Sequence, residues 1–239
     1  MCTVAVIRSI LLIRAGLADE DHEEFGYDSF VAKTLDALGE DWNNTEDETE
    51  REKLHKRAEL LRGLARIYIS RGNTNQVMLM KGYNTIIKYE NRINSVASTL
   101  GINPHLIATV LFREITMSGW DDLYVVETGA ATIGVDTSIG IGQVKVSTAT
   151  EAYDRWMYHL LGDAYNGHNL SVTQFVKMLN DPKENIRFVG IVIWNIIHTY
   201  GAWDEIAIYS KYNAGGNSGN TSYGTVSMQY TPYVWEYFN

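Results

Sequence analysis

One cysteine, Cys2, stands in the whole chain, so no disulfide can close within it and cysteine pairing says nothing about the compartment. Only three prolines occur, and no proline-rich linker, internal repeat or heptad series divides the sequence. The longest apolar runs fall short of the roughly eighteen residues that a membrane-spanning helix needs. Basic residues are scarce as well: 20 Lys and Arg face 29 Asp and Glu, for a net charge of −9. Nucleic-acid affinity rests on clustered Lys and Arg, so this balance argues against a duplex-binding surface. It also argues against bulk attraction to an anionic cell wall. A basic partner, such as an inhibitor, immunity or delivery protein, suits the charge better.

Several chemistries lack their signatures. The six histidines form no His-Glu-x-x-His pattern, and no Gly-Lys-Ser/Thr phosphate loop or Gly-x-Ser-x-Gly elbow is present. Gly140-Ile-Gly-Gln-Val-Lys145 is half a dinucleotide fingerprint, but Lys145 replaces its third glycine and no βαβ pattern surrounds it. A calcium loop starting at Asp21 fails because Phe25 and Ala32 fill ligand positions. No metal and no cofactor is expected.

What is present is hydrophobic mass. At 239 residues, 45% of them hydrophobic, the chain suits one large domain, or one domain with a helical extension. Residues 3–17 read as a short apolar helix; Arg8 and Arg14 interrupt it, which favours an uncleaved first helix over a signal peptide. The acidic stretch Asp19–Glu24 reads as a solvated loop or helix face. Thr45-Glu-Asp-Glu48 is a capping-box start for a helix running to about Arg71, with Leu54, Leu61, Leu64 and Tyr68 inside. A second long helix ends at Gly101, with Val77, Met80, Tyr83, Ile87 and Ile93 as its core positions. Further helices are expected near 147–161, 171–180, 182–200 and 202–211, with a loop-like tail from Ala214. The β-prone residues around Gly129 predict a small hairpin. His159 and His198 lie on apolar helices and read as core or boundary residues.

Asn103-Pro-His-Leu-Ile-Ala-Thr-Val-Leu-Phe-Arg-Glu114 has good N-cap chemistry at Asn103 and Pro104. Ile107, Val110 and Leu111 share a face, and Glu114 falls on the same stripe. A carboxyl set against hydrocarbon has a cationic partner, a shifted pKa, or a cleft to face. The alternative is an ordinary helix-end glutamate tilted toward water. Asp136 precedes Ser138-Ile-Gly-Ile-Gly-Gln143 and reads equally as a second carboxylate or as a turn residue.

The stretch Asp136-Thr-Ser-Ile-Gly-Ile-Gly-Gln-Val-Lys-Val-Ser-Thr-Ala149 resembles the Gly-x-x-Gln…Thr-Ala motif of soluble lytic transglycosylases and goose-type lysozymes. Ala207-Ile-Tyr-Ser-Lys-Tyr-Asn-Ala-Gly215 resembles the Ala-x-x-Tyr-Asn-Ala-Gly motif of that superfamily, and Asp181-Pro-Lys-Glu-Asn-Ile186 its Asp-Pro-x-x-Asn-Ile helix start. With Glu114, these stand in the family's order over roughly residues 100–216. The resemblance implies a mostly α, lysozyme-like domain over 75–239, a small β-hairpin by the cleft, and an N-terminal helical extension over 1–74. It implies cleavage of the β-1,4 bond between N-acetylmuramic acid and N-acetylglucosamine in a peptidoglycan glycan strand. Action would then be at the bacterial cell wall, in the periplasm or outside the cell, with the export route open. Glu114 would be the acid. Ser138, Gly140, Gln143, Tyr212 and Asn213 would contact or orient the substrate, with the Tyr212 hydroxyl on Glu114 or on the sugar. A plain helix end, in which Tyr212 packs and Asn213 caps, is the other reading of the last two.

The chain departs from that pattern at several points. Ile115 follows the glutamate where the family has Ser, and Val146-Ser-Thr-Ala149 lacks the usual Pro. Lys145 occupies the place of the second carboxylate of goose-type lysozymes. Gln143 lies 29 residues after Glu114, a longer gap than usual, which implies an inserted loop or hairpin around 121–137. An inverting hydrolase would need a second acid, for which Asp136 is best placed, ahead of Glu127, Asp122 and Asp121. A lytic transglycosylase needs only Glu114. A silent glycan- or partner-binding module with the same fold is one rival reading, and an antibacterial toxin whose partner is an immunity protein is another.

Overall fold

A computed structural model describes residues 20–26, 28–118, 136–214 and 219–239. The helix expected over 3–17, the hairpin around Gly129, and Trp120, Asp121, Asp122 and Glu127 all lie outside these residues. Among the described residues the fold is mostly α with one two-stranded antiparallel sheet. No helix among the described residues is long and apolar enough to cross a membrane. The chain divides into two compact units, Met1–Met80 and Lys81–Asn239.

In the first unit a helical stretch over residues 20–25 precedes α1 (Phe30–Asn44) and α2 (Glu48–Ser70), and α3 (Gln76–Leu100) begins. Ser29 caps α1 by accepting from the Ala32 N–H. The cap of α2 is Asp47, which accepts from Thr49 and Glu50, rather than Thr45; the Thr45 hydroxyl instead accepts from the Asp47 N–H. The stripe of α2 is as its periodicity requires, with Leu54, Leu61, Leu64 and Tyr68 buried against α1. The acidic stretch is helical and not wholly solvated. Asp21 is buried, because the Arg62 guanidinium forks onto its two oxygens at 2.9 and 2.7 Å. On α3, Val77 is half exposed, whereas Tyr83 and Ile93 are core.

The second unit is built on α7. Its elements are the rest of α3, α4 (Pro104–Ser118), β1 (Ser138–Ile139), β2 (Val144–Lys145), α5 (Val146–Leu161), α6 (Val172–Asn180), α7 (Pro182–Tyr200), α8 (Glu205–Ala214) and α9 (Thr221–Phe238). Asp181 caps α7 and Pro182 fills its first turn, where a missing N–H is harmless. From Ile186 to Ile197 the helix is buried with almost no polar face, as a central helix must be when neighbours surround it. Those neighbours are α4, α5, α6 and α8. His159 and His198 are not core: both sit exposed near the C-terminal ends of α5 and α7.

The tail from Ala214 is not a loop throughout. Asn220 accepts from the Tyr223 N–H and starts α9, which packs on α4 and α8. Tyr223, Val226, Tyr230, Val234 and Tyr237 recur at helical spacing and are buried. All five side chains in that stripe are aromatic or β-branched and poor helix formers by propensity, and burial overrides this.

Candidate active site around Glu114

α4 carries Glu114 into hydrocarbon. Phe112 and Ile115 beside it are fully buried, and Glu114 itself is only 7% exposed. The Tyr223 hydroxyl, arriving from α9, donates to Glu114 Oε1 at 2.6 Å. The Arg113 guanidinium, stacked over the Tyr223 and Tyr230 rings, contributes a positive field. Burial favours the neutral acid, while the tyrosine hydrogen bond and Arg113 favour the anion. Burial wins, and the Glu114 pKa rises to about 7. Near neutral pH this carboxyl is therefore poised between donor and acceptor of a proton.

Facing it is a cavity of about 150 Å³. Ser138, Gln143 and Lys145 wall it from the hairpin, and Tyr212 and Asn213 from α8. In the hairpin Ser138 pairs with Lys145 and Ile139 with Val144, leaving Gly140–Gln143 as the turn. Gln143 adopts φ +48°, an unusual conformation for a residue with a side chain, and donates from Nε2 to the Gly140 carbonyl at 3.1 Å. Sparsely populated backbone of this kind persists only where its surroundings hold it.

Asn185 does the holding. It is fully buried on α7, accepts from the Gly142 N–H at 2.7 Å, and donates to the Ile139 and Leu179 carbonyls at 2.9 and 2.8 Å. The Tyr212 hydroxyl, also buried, donates to the Gly142 carbonyl at 2.7 Å. The turn is thus pinned from both sides by side chains whose own burial would be unfavourable without these partners. The two glycines make this approach possible. A Cβ on Gly142 would stand 2.2 Å from Val189 Cγ2, and one on Gly140 would stand 2.4 Å from the Leu179 carbonyl.

Five of the seven residues singled out by sequence meet at one cavity: Glu114, Ser138, Gln143, Tyr212 and Asn213. Two do not line it. Gly140 turns its open face to Asn185 and Leu179, so its missing Cβ admits protein and not a sugar. Asp136 is exposed and spends both oxygens on the first turn of α5, accepting from the Ser147 N–H at 3.2 Å and from its hydroxyl at 2.8 Å. That is capping chemistry, and the turn reading of Asp136 holds. Of the two expected partners of the Tyr212 hydroxyl, Glu114 is not the one it bonds: Tyr212 donates to Gly142, and Tyr223 donates to Glu114. Asn213 accepts from Asn220 Nδ2 at 2.7 Å, tying α8 to the start of α9.

Sequence reading missed Tyr223 and the clamping role of Asn185. A signal existed for the first, in the Tyr223–Val226–Tyr230–Val234–Tyr237 stripe behind the Asn220 cap. Among the described residues, no group of three His, Cys, Asp or Glu side chains is placed to hold a metal ion. Compared with known proteins, the chain matches no family model, no curated protein and no solved structure.

Proposed function

We propose that this chain is a peptidoglycan-cleaving glycosidase of the lysozyme-like superfamily, acting on the β-1,4 bond between N-acetylmuramic acid and N-acetylglucosamine with Glu114 as general acid and base. The observation that carries the reading is a buried glutamate with a pKa near 7 opening onto a cavity shared with Gln143 and Tyr212. The motif order of the resemblance supports the substrate class. The protonated Glu114 donates to the glycosidic oxygen as the bond to the anomeric carbon breaks, and positive charge gathers at the ring. Gln143 offers an amide donor and acceptor for a hydroxyl or N-acetyl group.

Among the described residues, Glu114 is the one carboxylate that lines the cavity. An inverting hydrolase needs a second to hold water on the opposite face. The lytic transglycosylase route does not. In it the Glu114 carboxylate takes the proton of the muramic acid 6-hydroxyl while that oxygen attacks the anomeric carbon. A 1,6-anhydro ring closes, and the acid returns to its starting protonation. We favour this route because Lys145, at the cavity wall, fills the place of the second carboxylate of goose-type lysozymes. Mass spectrometry of products from purified peptidoglycan tests it: anhydro ends are expected, and reducing ends alone reject it in favour of a muramidase. Activity unchanged by Glu114→Gln rejects the glycosidase reading altogether and leaves a glycan- or partner-binding module.

A further inference from the structure

Among the described residues, two charged side chains line the Glu114 cavity: Glu114 itself and Lys145. The proposed chemistry uses the first and leaves the second idle. Lys145 is exposed and forms no ion pair among the described residues. The acids on either side of it along the chain are already engaged. Asp136 is spent on Ser147 at the start of α5, and Glu151 accepts from Arg155 at 2.8 Å and from the Tyr200 hydroxyl at 3.2 Å. The cation that acts on Glu114 is Arg113. Lys145 therefore brings a positive charge to the cavity wall that no described acid answers.

The hairpin fixes what stands beside that charge. Ser138 and Lys145 are directly opposite in the antiparallel register, and both line the cavity. Opposed residues leave the same face of a strand pair with their Cβ atoms about 5 Å apart. The Ser138 hydroxyl, like the ammonium, has no hydrogen-bond partner among the described residues. An ammonium and a hydroxyl at that spacing offer one donor to each oxygen of a single carboxylate. In the glycan strand neither sugar ring is charged. The muramic acid bears a lactyl carboxyl, which is a neutral amide wherever a peptide stem is attached and a free carboxylate where the stem is gone.

We infer that Lys145 and Ser138 form a carboxylate seat that selects strands with free lactyl groups, from which the peptide stems have been removed. The inference rests on the glycosidase reading for its substrate class, and it makes Lys145 a specificity-determining residue. A lysine at this place removes a base and also changes which strands the cavity accepts. Such strands arise by hydrolysis of the lactyl amide, so a reaction of that class supplies the substrate.

Equilibrium binding to Glu114→Gln protein reads the seat without turnover. The ligands are peptide-free strands, the same strands with each lactyl carboxyl capped as a methylamide, and strands that keep their stems. Peptide-free strands should bind about tenfold more tightly than either of the others, the size of one charge-assisted hydrogen bond. Lys145→Met should bring all three within about twofold of one another, while Lys145→Arg should keep most of the preference. Added salt should shrink it, because the lysine is exposed. The same exposure means that Lys145→Met leaves the core intact, which an unchanged melting temperature checks. Equal binding of capped and uncapped strands overturns the inference, as does a preference that survives Lys145→Met. Tightest binding of stem-bearing strands, lost in Lys145→Met, puts the anion on the stem and overturns it too. A preference that depends on Lys145, with peptidoglycan left uncut by the wild-type protein, keeps the seat and rejects the glycosidase. Cleavage that depends on Glu114, with no such preference, does the reverse.

Discussion

The two units each bury a carboxyl, and they treat it in opposite ways. Asp21, 5% exposed, meets a full positive charge: the Arg62 guanidinium forks onto it, and Arg62 also reaches Glu59 at 2.6 Å. Glu114, 7% exposed, meets a neutral hydroxyl, and its pKa climbs to about 7. Similar burial thus has two outcomes, decided by the partner. A guanidinium fork satisfies the anion and fixes two helical segments together. A phenol leaves the desolvation penalty largely uncompensated, so the group holds its proton and remains available for chemistry.

Removing each acid's function should separate the two roles most strongly. Glu114→Gln is nearly isosteric and cannot exchange a proton. It should lower kcat on purified peptidoglycan by roughly 10²- to 10⁴-fold, the usual contribution of a general acid. Arg62→Ala should act on folding instead, because it leaves Asp21 buried and unpaired. A loss of about 3–5 kcal/mol is expected in urea unfolding. The double variant Asp21→Leu/Arg62→Met should recover most of that loss. If Arg62→Ala is harmless, the pair is not structural.

The pH dependence sharpens the contrast. A carboxyl whose folded pKa lies above its unfolded value stabilises the native state fully below the unfolded pKa, and that advantage is lost as pH rises through the folded pKa. For Glu114 the window runs from its ordinary 4.5 to about 7. At 1.36 kcal/mol per unit, roughly 3 kcal/mol of stability should disappear across it. Glu114→Gln carries no such penalty. Its melting temperature should exceed that of the wild type at pH 8 and approach it at pH 4.5, and parallel curves at both pH values would show that Glu114 holds no extra proton.

Asn185→Ala sits below these in expected effect. It removes three hydrogen bonds, from the Gly142 N–H and to the Ile139 and Leu179 carbonyls, at a buried turn. A cost of about 2–3 kcal/mol is expected, with weaker substrate binding as Gln143 loses its φ +48° support. Calorimetry and KM measured on one preparation separate the two effects.

Legibility in the sequence followed the range of the interactions. The stripes of α2 and α4 were readable because a periodic apolar face is a local pattern and the core selects it. Glu114 was readable for the same reason: it sits in register with Ile107 and Leu111. Asp21 was misread as solvated because its partner lies 41 residues away, and nothing local reveals a tertiary ion pair. Gly140 fell at the right loop but faces protein, and Asp136 takes the turn role that was one of its two readings, since the direction in which a turn opens depends on what packs behind it. There that neighbour is Asn185, which the sequence showed only as part of a helix start.

Tyr223 marks where that kind of reading ends, 109 residues from the acid it touches and behind a run of Gly, Asn and Ser. Its hydroxyl lowers the Glu114 pKa against the larger effect of burial, so Tyr223→Phe should push that pKa further up. A hydrogen bond to a charged group exceeds one to a neutral group by about 1 kcal/mol, which corresponds to somewhat under one pH unit. The alkaline limb of the pH–rate profile, where the acid must still hold its proton, should therefore move up by about that much, with a modest fall in kcat as Glu114 loses its anchor. A purely structural tyrosine would lower stability and leave the limb where it was. That difference makes the smallest of these effects the most discriminating, because it reads the balance of burial against hydrogen bonding at Glu114 directly.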